Sequence, residues 1–269
     1  MNVLEYEMIE LLKKLKNEYG VLKIKAEYEN EGSRQVELMR LKDVAGAAQL
    51  PLILKIGGVE AVTDIYEALS LGAKGIVAPM AETAFAVTKF LNAIDTFVPE
   101  DNQRDIEFAV NIETITAYRN IKEILNLDKI NLLSNITIGR VDFAASLDTD
   151  RSFVDSEEML NYCIEIFQQT KEKGLKNTLG GAISVKSKPF IERLISEDLL
   201  DKFETRKLVY HSSAINNISE GLTTGITFEL LWLKSKRRYY HRVTNEDEKR
   251  ISMLEKRLNA KQFCKLQED

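Results

Sequence analysis

Short apolar runs alternate with helix-length amphipathic stretches along most of this chain. The runs are "VLKIKAEYE" (Val21 to Glu29), "LPLILKIGG", "KGIVAPM", "IEFAVNIET", "NITIGRVDF", "NTLGGAIS" and "KFETRKLVYH". Between them lie helical patterns such as "VEAVTDIYEALSLGA", "TAFAVTKFLNAI" and "SEEMLNYCIEIFQQTKEKG". Strands separated by helix-length links are parallel strands with crossover helices. Seven such units predict an α/β fold, a (β/α)8 TIM barrel, over an open doubly wound sheet. The eighth strand is expected to be short, or replaced by the N-terminal segment. That segment, "MNVLEYEMIELLKKLKNEYG", reads as an amphipathic helix with early acids and not as a signal peptide. Neither G-x-G-x-x-G nor G-x-x-x-x-G-K-[ST] occurs, which argues against dinucleotide and P-loop folds.

The pattern changes near residue 219. The barrel is expected over 1–218 and a C-terminal helical extension over 219–269. "GITFELLWLKSKRRYYHRVTNEDEKRISMLEKRLNAKQF" predicts two helices. Phe228, Leu231, Trp232 and Tyr239 form an apolar face, so the extension is expected to pack on the barrel or on a partner subunit of a homo-oligomer. Lys234, Lys236, Arg237, Arg238 and Arg242 form a basic patch, read as a solvated face or, alternatively, a seat for a phosphate or CoA tail.

Within the strands, apolar and charged residues alternate. Leu22, Ile24 and Ala26 share one face of the first strand, and Lys23, Lys25, Glu27 and Glu29 share the other. If the apolar faces meet the helices, Lys25, Glu27, Lys55, Asn111 and Glu113 point into the barrel. Unpaired buried charge is costly, so these groups must pair with one another or with a ligand. Lys55, Glu113 and Glu27 come late in their strands, at the end where such barrels carry their active sites. Lys23 comes early and reads as part of a structural ion-pair layer.

The chain has 269 residues, 44% apolar, which suffices for one barrel core. A net charge of -5 argues against nucleic-acid binding. No run is apolar enough to span a membrane. Cys163 and Cys264 have neither metal-ligand nor disulfide spacing, so a cytoplasmic location is expected. The histidines are His211 and His241 alone, and they give no zinc spacing. Gly139 is expected to bend the fifth strand, so that Asp142 leaves it at the same rim as Glu113. A bend there exposes successive backbone N–H groups suited to an anion. Two carboxylates without nearby nitrogen or sulfur ligands suit a hard ion, Mg2+ or Mn2+.

From Val21 to Tyr210 the chain resembles the HpcH/HpaI aldolase and citrate lyase β-subunit family, within the phosphoenolpyruvate/pyruvate barrel superfamily. "LSLGAKGIVAPMAETAFAV" is similar to the family's "LxxGAxxLLVPMVxTxxEA", "NIETITAYRNIKEIL" to "xIETxxAxxNxxEIL", and "ITIGRVDFAASL" to "xxIGPxDLxxSL". The resemblance implies a metal-dependent lyase or aldolase, with Glu113 and Asp142 holding the ion and the peptide N–H groups of Gly139, Arg140 and Val141 holding a substrate carboxylate. An arginine that supports the developing oxyanion in the family is here Lys55. The family's acid–histidine pair is here Glu27 and Tyr28, which leaves Glu27, Glu29 or Lys25 for proton transfer. Arg140 stands where proline or threonine is common, and is expected to meet an additional anionic group of the substrate.

The expected function is therefore carbon–carbon cleavage of a 2-oxo acid or acyl-CoA through a metal-stabilised enolate. Competing readings are phosphoenolpyruvate chemistry or ester or thioester hydrolysis at the same site, Schiff-base chemistry at Lys25, and a non-catalytic barrel serving as a binding or assembly subunit.

Overall fold

The computed structural model describes the backbone of residues 1–265 and side-chain surroundings as far as residue 258, so Cys264 lies outside the described side chains. Eight strands close into a barrel in sequence order: β1 (Val21–Glu27), β2 (Leu52–Lys55), β3 (Gly75–Ala78), β4 (Glu107–Ile112), β5 (Asn135–Gly139), β6 (Lys176–Gly180), β7 (Lys202–Glu204) and β8 (Leu208–His211). Helix α1 (Val3–Glu18) precedes the barrel. Around it lie α2 (Gln35–Ala47), α3 (Val62–Ser70), α4 (Ala84–Phe97), α5 (Glu100–Gln103), α6 (Ile115–Arg119), α7 (Ile121–Leu125), α8 (Arg140–Ser146), α9 (Glu157–Glu172), α10 (Lys188–Ser196) and α11 (Ile218–Lys265).

The alternation within each strand places the core. Ile24, Ala26, Leu54, Ile76, Val110 and Ile138 are fully buried against the helices. The other face forms a polar barrel interior. At its N-terminal end Glu107 joins Lys23 at 2.6 Å and Lys202 at 3.3 Å, the structural ion-pair layer expected for Lys23. Above it Thr178 donates to Asn135 at 2.8 Å, and Asn135 donates to Thr137 at 3.0 Å.

The closure departs from regular alternation. β1 to β7 are parallel, but β8 runs antiparallel to both β7 and β1. The single run "KFETRKLVYH" is two strands joined by Thr205–Lys207. Three residues cannot hold the dozen or more needed for a parallel crossover, so the chain must reverse. The eighth strand is therefore short, and the N-terminal segment is a helix outside the barrel.

The C-terminal segment is one helix of 48 residues, not two. After Gly225 neither glycine nor proline occurs as far as Lys265, so the polar stretch "TNEDE" does not interrupt the helix. Its first turns lie on β8, where a Cβ at Gly225 would approach the Tyr210 hydroxyl and come within 2.9 Å of Leu208 Cδ1. Phe228 and Trp232 are buried within the same chain. Polar contacts fasten the helix to α1 and α2. Asn2 donates to Ser235 at 3.2 Å, Arg40 donates to Ser235 at 3.0 Å, and Tyr240 donates to Glu37 at 2.5 Å. Lys236, from the basic patch, lies 3.6 Å from Glu37. Among the described residues, no helix is long and apolar enough to cross a membrane.

Candidate functional site

Lys25, Glu27, Lys55, Asn111, Glu113 and Asp142 line one cleft of about 530 Å³ at the C-terminal end of the strands. β1 supplies the first two and β2 ends on Lys55. Glu113 follows β4, and Asp142 lies in the first turn of α8. The burial penalty for charge is met by a chain of ion pairs. Lys25 Nζ lies 2.6 Å from Glu204 Oε1 and 3.2 Å from Glu27 Oε1. Lys55 Nζ lies 2.5 Å from Glu29 Oε2 and 3.7 Å from Glu27 Oε2.

These pairs set the protonation states. Burial pushes the Glu27 carboxyl up, but the Lys25 and Lys55 ammonium groups outweigh it and hold its pKa below the usual range. Burial would depress both lysines, yet Glu204 and Glu27 raise Lys25, while Glu27, Glu29 and Glu113 raise Lys55. Both amines stay cationic at neutral pH. An imine-forming lysine must be neutral, so the Schiff-base reading of Lys25 finds no support in this geometry.

Glu113 is held by two hydrogen bonds. Its Oε1 accepts from the Met80 N–H at 2.9 Å, and its Oε2 accepts from Asn111 Nδ2 at 3.1 Å. Met80 stands at φ 51°, a left-handed conformation that a side chain takes at a cost of order 1 kcal/mol. Gly139 leaves room below: a Cβ there would lie 2.5 Å from Glu113 Oε2. That close approach, and the start of α8 directly after Gly139, account for the glycine. Burial raises the pKa of Glu113, and the Asp142 charge raises it further. Burial also raises Asp142, against the pull of Lys55.

This donor set fits a hard divalent ion. Two partly desolvated acids, each with its proton affinity raised by burial and by neighbouring carboxylates, are relieved by a shared cation. Among the described residues, no group of three or more His, Cys, Asp and Glu side chains could hold a metal. A two-carboxylate site leaves the remaining positions to water or substrate, as Mg2+ prefers. Asn111 adds to the argument, because its buried Oδ1 has no hydrogen-bond partner while its amide nitrogen serves Glu113.

Arg140 does not meet the cleft as expected. Its side chain is fully buried and its guanidinium is consumed by the protein. It donates to the carbonyls of Gly180 at 3.2 Å, Gly181 at 2.8 Å and Val154 at 2.9 Å, and pairs with Asp155 at 2.5 Å. A buried arginine needs this many acceptors, and the β6 loop and the segment after α8 supply them. The backbone around it remains a candidate anion cradle. A Cβ at Gly181 would come within 2.6 Å of the Arg140 nitrogen and 2.7 Å of the Val141 nitrogen. Gly181, at φ 82°, keeps that space open.

Tyr28 lines no part of the cleft, and its pKa is raised by burial and by Glu67. Sequence reasoning missed Glu204, Met80, Gly181, Arg151 and Arg206. Glu204 was within reach of the alternation argument, since it shares a strand face with Lys202. Met80 acts through its backbone, and the two arginines sit in connections without periodicity, so no pattern marked them.

The HpcH/HpaI aldolase/citrate lyase family profile matches residues 36–183, more than half of the chain. No curated protein sequence gives a significant match. Solved structures do. Citrate synthase SbnG superposes with a TM-score of 0.60 at 17% identity, covering 74% of this chain and 81% of that one. An HpcH/HpaI aldolase/citrate lyase family protein from Burkholderia cenocepacia J2315 gives 0.58 at 13% identity, over 89% and 90%. An HpcH/HpaI aldolase from Desulfitobacterium hafniense DCB-2 gives 0.56 at 15% identity, over 70% and 79%. At such identities these likenesses establish the barrel fold alone. The profile match carries the assignment further, and by it this chain belongs to the HpcH/HpaI aldolase/citrate lyase family.

Proposed function

We propose that the protein is a carbon–carbon lyase or aldolase acting on a 2-oxo acid or acyl-CoA, with Mg2+ or Mn2+ held by Glu113 and Asp142. The observation that supports it most is the pair itself: two carboxylates in one cleft, both with pKa values raised by burial, and Glu113's raised again by Asp142. When bound, such an ion supplies Lewis acidity toward the substrate's carboxylate and carbonyl oxygens and favours the enolate.

The chain's own residues supply the rest. Lys55 stays cationic beside Glu113 and places positive charge where negative charge develops on the substrate. As a lysine it acts as a point charge, without the two-pronged grip of arginine. The N–H groups of Arg140 and Val141 are assigned to the substrate carboxylate. Glu27 is ionised and is assigned to take up and return a proton; Lys25 holds it in place from 3.2 Å.

Glu113→Gln and Asp142→Asn are expected to lose Mn2+ binding by at least an order of magnitude in calorimetric titration, and to lose turnover with it. Unchanged affinity in both variants would sink the metal assignment. A second reading, a barrel that binds substrate without turning it over, draws on the absence of any histidine from the cleft lining. Metal-dependent binding of pyruvate with no product from any 2-oxo acid would favour it.

We also propose a homo-oligomer. Phe228 and Trp232 are covered by their own chain, so they no longer argue for one. Leu230, Leu233, Ile251, Leu254 and Leu258 are exposed along α11 in two groups spaced by three or four residues, with Val243 exposed between the groups.

A further inference from the structure

The cleft extends outward from the metal-binding acids toward α11. Two arginines stand in its outer part, Arg151 and Arg206, both exposed. Each is placed by a specific structural cause. Arg206 lies in the three-residue reversal between β7 and β8, where a regular barrel would carry a crossover helix. Arg151 opens the 3-10 turn Arg151–Asp155, which buried Arg140 pins through the Val154 carbonyl and Asp155. The arginine expected to meet a substrate anion is thus buried, and it holds in place the segment that carries another arginine to the cleft.

The charges of the cleft are unevenly placed, with the excess of positive charge on the two arginines. Lys25 and Lys55 are engaged by Glu204, Glu27 and Glu29. Glu113 and Asp142 are taken up by the divalent ion in the reading above. Among the described cleft-lining residues this leaves the guanidiniums of Arg151 and Arg206 facing one carboxylate, Glu229. Neither arginine makes an ion pair among the described residues. Arg206 lines the same cleft as Glu27. Ile183 and Val185, together with Leu222 and Ile226 of α11, add apolar groups to the lining of the same cleft.

We propose that Arg151 and Arg206 form a second anion subsite, selecting substrates that carry a carboxylate or phosphate at the end remote from the 2-oxo acid. The inference rests on the 2-oxo-acid reading above. An apolar stretch of the substrate spans the distance between the two anionic ends, along the Ile183 and Ile226 walls. Guanidinium is the side chain best matched to such a group, because it binds both oxygens of a carboxylate or phosphate in a fork.

The test is calorimetric titration of the full-length, Mg2+-loaded protein with pyruvate and with two matched ligand pairs. One pair is 2-oxoadipate against 2-oxohexanoate, which differ in a terminal carboxylate. The other is a phosphate-terminated 2-oxo sugar acid against its unphosphorylated counterpart. The charged member of at least one pair is expected to bind about tenfold tighter or more, the size of one or two charge-assisted hydrogen bonds. The pair that discriminates identifies the group as carboxylate or phosphate. Arg206→Gln and Arg151→Gln are each expected to collapse that ratio toward one, and Arg206→Lys to retain part of it. The ratio is the readout, so a general loss of affinity does not imitate the result. Melting temperatures confirm folding, and Arg151→Lys stands in if a glutamine variant is unstable. A ratio near one in both pairs, or one unchanged in both glutamine variants, overturns the subsite while leaving the 2-oxo-acid reading intact. Failure of pyruvate itself to bind overturns both.

Discussion

Glu113 is a residue whose environment opposes its own charge. Burial and Asp142 raise its pKa, while the Met80 N–H, Lys55 and Asn111 partly compensate. A carboxyl with a raised folded-state pKa contributes stability that is present below its unfolded value and is lost as pH rises through the folded value. The metal-free protein is therefore destabilised by Glu113 at neutral pH and not in acid. Glu113→Gln is expected to melt higher than the native chain at pH 7 without metal, with the advantage shrinking as pH falls through the usual carboxylate range. Rotation of the Asn111 amide lets its unpartnered Oδ1 accept from the new glutamine. Thermal unfolding from pH 4 to 8 in chelator checks this, and a pH-independent difference would remove the argument. Saturating Mg2+ should reverse the order, since an ion that binds only the folded native chain raises its stability. At this scale the sequence was partly legible. Strand alternation exposed Lys25, Glu27, Lys55 and Glu113, because an inward charge breaks an apolar pattern. The comparison with the family's motif misplaced the Arg140 side chain, because a buried guanidinium satisfied by carbonyls leaves the same letter in the chain as one that meets a ligand.

At the scale of elements, the parallel strands were readable because each is followed by a helix of ordinary length. The β7–β8 pair was not, since "ETRK" marks a reversal only when the missing helix is noticed. α11 was expected as two helices, yet only glycine or proline would have made a strong break, and neither occurs between Gly225 and Lys265. The helix divides by burial instead. Its early part buries Leu222, Phe228 and Trp232, and from His241 onward nearly every described side chain is exposed. Truncation after Glu220 removes two large aromatic groups from the core, each of a size whose loss costs about 3–5 kcal/mol. That chain is expected to be insoluble or to lack a cooperative thermal transition. Removal of residues 245–269 is expected to leave the melting temperature within a few degrees of the full chain. A stable, cooperatively melting chain ending at Glu220 would show that the barrel does not need α11.

The whole molecule carries the oligomer question on the outer half of that helix. Light scattering of the full-length chain is expected to give a multiple of 30.7 kDa. Removing residues 245–269 should reduce it toward one chain. A concentration-independent mass near one chain for the intact protein would refute the assembly. The barrel's closure also has a consequence in time. Val21 pairs with Tyr210, and Asn2 bonds to Ser235, so the first and last parts of the fold meet across almost the entire chain. Contacts of such long separation form late and slowly. A nascent chain emerging from the ribosome can pair β1 through β6 as they appear, but the seam stays open until the β7–β8 hairpin has left the exit tunnel. The clamp from α1 to α11 waits longer still. During that interval β1 presents a free edge, the feature that invites strand pairing with other chains. The early antiparallel hairpin shortens the exposure, because its two strands pair locally and arrive at β1 as one unit.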